Sequence, residues 1–258
     1  MPAPKNTFKA ALGEKRQLIG CWLSSGEAAI AELMATTGFD WLVIDGEHGP
    51  NDIRSIRDQL VAIAGSDSHP VVRVPVGEPW VIKQALDAGA QTILVPMIDT
   101  AEHARETLRA CRYAPQGIRG MGGSGARVTG FGSTPDYVQT ANDEICLVVQ
   151  VESRAALNNL DDILAVEGVD GVFIGPADLS ADMGFPGNAG APEVVDAIAA
   201  AIGKINASDK ASGILTLTSA NMTTYVDMGV TFVAVGIDTI VLANAARALS
   251  AHAKALIK

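Results

Sequence analysis

The sequence predicts an α/β fold, a single (β/α)8 TIM barrel over residues 1–258. Three observations carry that prediction. Eight short apolar runs recur along the chain, helical apolar periodicity fills the intervals, and 258 residues suit one large domain with a buried core. The runs cover residues 18–22, 41–44, 71–74, 92–96, 147–151, 171–174, 213–217 and 231–235. Each is nearly continuous rather than alternating, the pattern of parallel strands buried on both faces.

The intervening helices follow in order. Ile30, Leu33, Met34 and Thr37 fall at i, i+3, i+4 and i+7. Ile53, Ile56, Leu60 and Ile63 mark a second helix behind Pro50 and Asn51, and Ile82, Ala85 and Leu86 a third that ends at Asp87-Ala88-Gly89. Val195, Ile198, Ile202 and Ile205 line a longer one, and several helices end at a glycine suited to a C-cap. Residues 97–144 break the rhythm with a helix over 102–112, the glycine-rich stretch GIRGMGGSGARVTGFGS, and a short helix over 135–142, but no ninth strand. An alanine-rich helix over 240–256 closes the chain. The structural competitor, an open doubly wound sheet, wants a Gly-x-Gly-x-x-Gly turn after its first strand, and none follows Trp22.

Composition narrows the partners. The formal charge is -10 with only 19 lysines and arginines and no basic tail, which argues against nucleic acid. No run reaches the roughly 18 apolar residues of a membrane span, and residues 1–17 lack a secretory h-region. Cys21, Cys111 and Cys146 are widely spaced, so a reduced, cytoplasmic setting is expected.

In a closed barrel the active site lies where the strands end, so polar residues there are the informative ones. Glu152 and Asp178 follow the fifth and sixth runs, and a convergent carboxylate pair can hold a divalent ion. The alternative is local: Glu152 begins a helix beside Ser153, and Asp178 caps the segment after it. His48, in Asp45-Gly46-Glu47-His48-Gly49, is a candidate general base, since imidazoles titrate near neutrality, and Asp45 is close enough to orient it. Arg73 interrupts the apolar run VVRVP; it either pairs internally or meets a substrate carboxylate or enolate. Gln150 shares a strand face with Glu152. Arg119 and Arg127 add positive field or serve the loop's own structure. His69 reads as structural, and His103 and His252 lie on helices without a motif. No strand end carries a lysine, and Lys83 falls in a helix, so metal–enolate chemistry is favoured over an imine.

With these residues in view, the chain resembles the HpcH/HpaI aldolase family of class II pyruvate aldolases. DWLVIDGEHGPND, VVRVP, TILVPM, YAPQGIRGMGG, VVQVES and GVFIGPADLSADMGFPGN carry the resemblance, in order, along nearly the whole chain. It implies reversible aldol cleavage of 4-hydroxy-2-oxo acids to pyruvate and an aldehyde through a metal-bound pyruvate enolate. It makes Glu152 and Asp178 the ligands of a Mg, Mn or Co ion, Arg73 the enolate stabiliser, and His48 the proton-handling group with Asp45 as partner. Gln150 would sit near the ketone oxygen, the backbone at Ala177 and Asp178 would seat the pyruvate carboxylate, and Leu215 would form part of the wall. It also implies a homo-hexamer, a trimer of dimers, with the last helix packed on a neighbouring subunit.

Two departures stand out. The loop 121–125 is richer in glycine than the family's, and Phe131-Gly132 replaces a bulkier aromatic-polar pair, so the aldehyde side is expected to differ. The rival readings are a malyl-CoA or citramalyl-CoA type lyase, an oxaloacetate decarboxylase on the same enolate half-site, and a barrel retained as a non-catalytic binder.

Overall fold

The eight apolar runs become eight parallel strands closed in sequence order. They are β1 (Leu18–Leu23), β2 (Trp41–Asp45), β3 (His69–Arg73), β4 (Thr92–Val95), β5 (Cys146–Val151), β6 (Gly171–Ile174), β7 (Ala211–Leu215) and β8 (Phe232–Ile237), and β8 pairs back with β1. The computed structural model describes residues 1–257. Around the barrel run α1 (Thr7–Gly13), α2 (Ala28–Ala35), α3 (Ile53–Ile63), α4 (Pro79–Asp87), α5 (Ala101–Cys111) and α6 (Tyr137–Glu144). They are followed by α7 (Arg154–Asn158), α8 (Leu160–Leu164), α9 (Pro176–Asp182), α10 (Pro192–Ala207), α11 (Ser219–Asp227) and α12 (Asp238–Ala255).

Burial explains the continuous apolar runs. Alternate strand residues face two separate cores: one between sheet and helices, built on residues such as Leu42, Ile44, Val149 and Ile174, and one inside the barrel. The inner core holds Trp22, Trp41, Phe173 and Phe232. Helix α1, which the sequence periodicity did not reveal, closes the barrel's N-terminal end. Its Phe8 ring stacks on His69 at 5.3 Å and meets Trp41 and Phe232 at 5.8 and 5.7 Å. Asn6 caps α1 by accepting from the Lys9 backbone N–H, and its amide nitrogen donates to Thr92 and to the Glu144 carbonyl.

Two strands begin two residues earlier than the apolar runs imply. β3 starts at His69 because its partner Trp41 is already paired there, and β7 starts at Ala211 opposite Gly171. β7 also stops at Leu215; after Thr216 donates to the Ala234 carbonyl the chain turns away and leaves Leu217 exposed. Pairing partners set these limits, and hydropathy does not report them.

The glycine-rich stretch lies elsewhere than expected. Arg119 Nη2 donates to Asp87 at 2.8 Å, and Arg127 Nη1 donates to the Ala88 carbonyl at 2.9 Å. Both partners sit at the end of α4, and a helix that follows a barrel strand runs back toward the N-terminal face. Within one chain this loop therefore does not border the carboxyl ends of the strands, and it does not shape the aldehyde side there. Arg119 is a buried structural cation that also lies 4.3 Å over the Tyr113 ring.

Candidate active site

Asp45 and Arg73 end β2 and β3, and the register places them opposite one another. Their side chains leave the same sheet face, so the guanidinium takes the carboxylate: Nε donates to Asp45 Oδ1 at 2.9 Å and Nη2 to Oδ2 at 2.8 Å. Nη1 lies 2.8 Å from Glu47 Oε2, an ion-pair contact whose angle does not make it a hydrogen bond. The Trp22 ring lies 5.3 Å from the guanidinium carbon. Arg73 is thus paired internally through Nε and Nη2, and N–H groups on both terminal nitrogens remain without a hydrogen bond to Asp45 or Glu47.

That arrangement corrects the partnership expected between Asp45 and His48. The Asp45 carboxylate accepts from the backbone N–H groups of Glu47 and His48, at 3.1 and 3.3 Å, but makes no hydrogen bond to the imidazole. Arg73 outcompetes the ring because strand pairing delivers it directly opposite. The His48 side chain is exposed, and Glu47 is its nearest acid, with Oε1 3.9 Å from Nε2.

Across the barrel, Gln150 and Glu152 leave β5 on one face and both are buried. Glu152 Oε1 accepts the Met97 backbone N–H at 2.9 Å, and Oε2 accepts Gln150 Nε2 at 2.5 Å. Burial pushes the Glu152 carboxyl above the ordinary carboxylate range against those two hydrogen bonds, and Asp178 and Glu47 push it further. Gln150 Oε1 is buried without a partner. Gly175 makes room for this side chain, since a Cβ there would overlap the Glu152 carboxylate. Ala177 and Asp178 lie exposed in the first turn of α9, which Gly175 and Pro176 begin and no side chain caps.

Asp45, His48, Arg73, Gln150, Glu152, Ala177, Asp178 and Leu215 all line one cavity of about 350 Å³ at the carboxyl ends of the strands. No lysine lines it. Among the described residues no group of three or more His, Cys, Asp or Glu side chains forms a ready-made metal cage. Sequence reasoning missed Glu47, whose half-buried carboxyl is raised by burial against the pull of Arg73 and His48. Its signal was its place two residues beyond Asp45 at a strand end. Trp22, Phe173 and Ile237 also line the cavity, and as apolar strand residues they gave no polar signal.

A family model described as HpcH/HpaI aldolase/citrate lyase matches residues 18–245. The chain belongs to this family. Like its relatives, this HpcH/HpaI family member is an enzyme, a lyase. It is 59% identical over 254 residues to a hydroxypyruvate/pyruvate aldolase of Agrobacterium fabrum, covering 98% of this chain and 96% of that one. It is 54% identical over 248 residues to a 4-hydroxy-2-oxo-heptane-1,7-dioate aldolase of Escherichia coli, covering 96% and 95%. The crystal structure of an HpcH/HpaI family protein from Burkholderia cenocepacia superposes with a TM-score of 0.94 at 39% identity, covering 97% of this chain and all of that one. Family membership carries with it, in general terms, the metal-assisted class II aldolase mechanism.

Proposed function

We propose that this enzyme reversibly cleaves 4-hydroxy-2-oxo acids to pyruvate and an aldehyde, with Glu152 and Asp178 as ligands of a Mg, Mn or Co ion. The observation that carries the reading is the convergence of three carboxylates, a guanidinium, an imidazole and an amide on one cavity that no lysine among the described residues lines. An imine mechanism needs that lysine.

The donor set fits a hard divalent cation. Asp45, Glu152 and Asp178 line the cavity, Glu47 lies close enough to act on Glu152, and Arg73 pairs with Asp45 and Glu47 alone; the unpartnered Gln150 Oε1 is a further oxygen donor nearby. Two protein carboxylates leave the remaining positions to substrate oxygens and water. When bound, the ion supplies Lewis acidity at the 2-oxo group.

The chain's own residues account for the rest. The uncapped backbone N–H groups of Ala177 and Asp178 seat the substrate carboxylate. His48, on the open side of the cavity, takes the proton from the C4 hydroxyl. The C3–C4 bond then breaks, the aldehyde leaves, and its bonding pair becomes the pyruvate enolate. The free terminal N–H groups of Arg73 stabilise the enolate oxygen. Asp45 and Glu47 hold that guanidinium in place, and protonation at C3 gives pyruvate. Trp22, Phe173 and Leu215 wall the cavity with apolar surface that sheds water from the enolate.

The test is pyruvate release from a panel of 4-hydroxy-2-oxo acids with Mg, Mn or Co, before and after chelation. Turnover should vanish with the ion and return with it. No pyruvate with any metal would overturn the reading. Three buried cysteines, none placed to pair with another, support a cytoplasmic setting, and the exposed apolar residues of α12 support a homo-oligomer, read as a hexamer.

A further inference from the structure

The turn that joins β2 to α3 carries Glu47 and His48, and its backbone is gripped from behind. Asn51 Nδ2 donates to the Asp45 carbonyl at 2.8 Å. The other end of the same amide is fully committed: Asn51 Oδ1 accepts from Gln59 Nε2 at 2.6 Å and from Ser55 Oγ at 2.8 Å. Two donors on the oxygen fix which way the amide faces, so its nitrogen must point at Asp45. Gln59 is wholly buried in α3, and its Nε2 also donates to the Ser55 carbonyl at 3.1 Å. That second bond fixes the Gln59 amide in turn.

The turn is packed tightly at Gly49. A Cβ at Gly49 would lie 2.6 Å from the Asp45 carbonyl oxygen and 2.9 Å from Asn51 Nδ2, so the returning backbone packs directly on the clamp. Asp52 adds a rigid exit. It caps α3 by accepting from the Arg54 and Ser55 backbone N–H groups, at 2.8 and 2.9 Å. His48 itself is exposed and makes no side-chain hydrogen bond, and its ring meets only the Glu47 carboxylate at 3.9 Å, so the turn sets where the side chain leaves the backbone and where Glu47 stands beside it. A group that moves a proton must be held to a fraction of an ångström, and an exposed side chain inherits that precision from its turn.

We propose that Asn51, locked by Gln59 and Ser55, is a positioning residue that fixes the 45–49 turn and so the placement of His48. The proposal rests on the reading of His48 as the proton-transfer group. It makes the buried face of α3 a part of the catalytic apparatus, although neither Asn51 nor Gln59 lines the cavity.

The test is a double-mutant cycle on cleavage of a 4-hydroxy-2-oxo acid. Asn51→Ala should lower kcat by about 10- to 100-fold and leave KM within about three-fold, because the pyruvate seat lies across the barrel. In a His48→Ala background the same change should cost almost nothing further, since the group it positions is gone. Gln59→Met keeps the volume and removes the amide, and should give a smaller loss with the same non-additivity; it also serves if Asn51→Ala does not fold. Asn51→Ala with unchanged kcat, or a loss that simply adds to that of His48→Ala, overturns the proposal. Full activity in His48→Ala alone would instead overturn the reading beneath it, so the two failures are distinguishable.

Discussion

Glu152 spends both carboxylate oxygens on fixed donors, the Met97 N–H and the Gln150 amide, which aims the group into the cavity. Glu152→Ala should therefore abolish turnover and weaken Mn binding by at least ten-fold, measured by calorimetry on protein whose circular dichroism is unchanged. Retained turnover in that variant would remove the carboxylate from the mechanism. At the other end of the barrel, His69 has the opposite relation to charge. Its ring is enclosed by Phe8 and bonded to Thr92 Oγ1 at 2.8 Å, and burial lowers its pKa from 6.5 to about 4. The folded chain prefers this histidine neutral, so the unfolded chain binds the extra proton between those values. The stabilisation is complete above pH 6.5 and is lost as pH falls through 6.5 toward 4. It is on the order of 3 kcal/mol. Urea unfolding at pH 7 and pH 4.5 should show that slope, and His69→Asn should flatten it.

Helix α12 is fastened to the barrel by its first residue. Asp238, buried, accepts from the backbone N–H groups of Ser24, Ser25 and Thr239 at 2.9, 3.1 and 2.7 Å. It thereby ties the β1 exit loop, whose Ser24 lines the cavity, to the start of the last helix. Asp238→Ala leaves those donors without their acceptor and should cost about 1–3 kcal/mol in urea unfolding. An unchanged midpoint would show that water replaces the carboxylate at no cost. The helices and strands themselves were largely legible in the sequence, because burial on both faces writes continuous apolar runs. α1, α8 and α11 were not: in α1, seven residues with Phe8, Ala11 and Leu12 buried make too short a pattern to stand out, α8 has five residues, and α11 buries only Tyr225.

At the scale of the molecule, the barrel closes by pairing β8 with β1, and no helix among the described residues is long and apolar enough to cross a membrane. α12 exposes Ile240, Val241, Leu242 and Leu249, the last two at 63% and 70%. That much apolar surface on one helix asks for a protein partner. The expected partner is a second copy of the chain: sedimentation should give a multiple of the 26.7 kDa protomer. Leu242→Glu combined with Leu249→Glu should shift it toward the monomer with the barrel still folded. A wild-type protein that sediments as a monomer would refute the oligomer.

The sequence by itself determined the eight alternating strands and helices, the strand ends that matter, and the identities of Glu152, Asp178, Arg73 and His48 as residues with chemistry to offer; closure of the sheet came from the pairing of β8 with β1. Hydropathy and residue type are local properties, so they survive in one dimension. Who binds whom did not. Asp45 serves Arg73 rather than the His48 ring because strand register sets them opposite, and Asn51 serves the turn because α3 folds back over it. The glycine-rich loop lies beside α4 because Arg119 and Arg127 find acceptors there. Each of these is a choice among acceptors and donors that only proximity in three dimensions can make. Returning to Glu152 and Asp178, the fold brought them to one cavity, and there Glu152 gained the Gln150 and Met97 contacts that fix its aim.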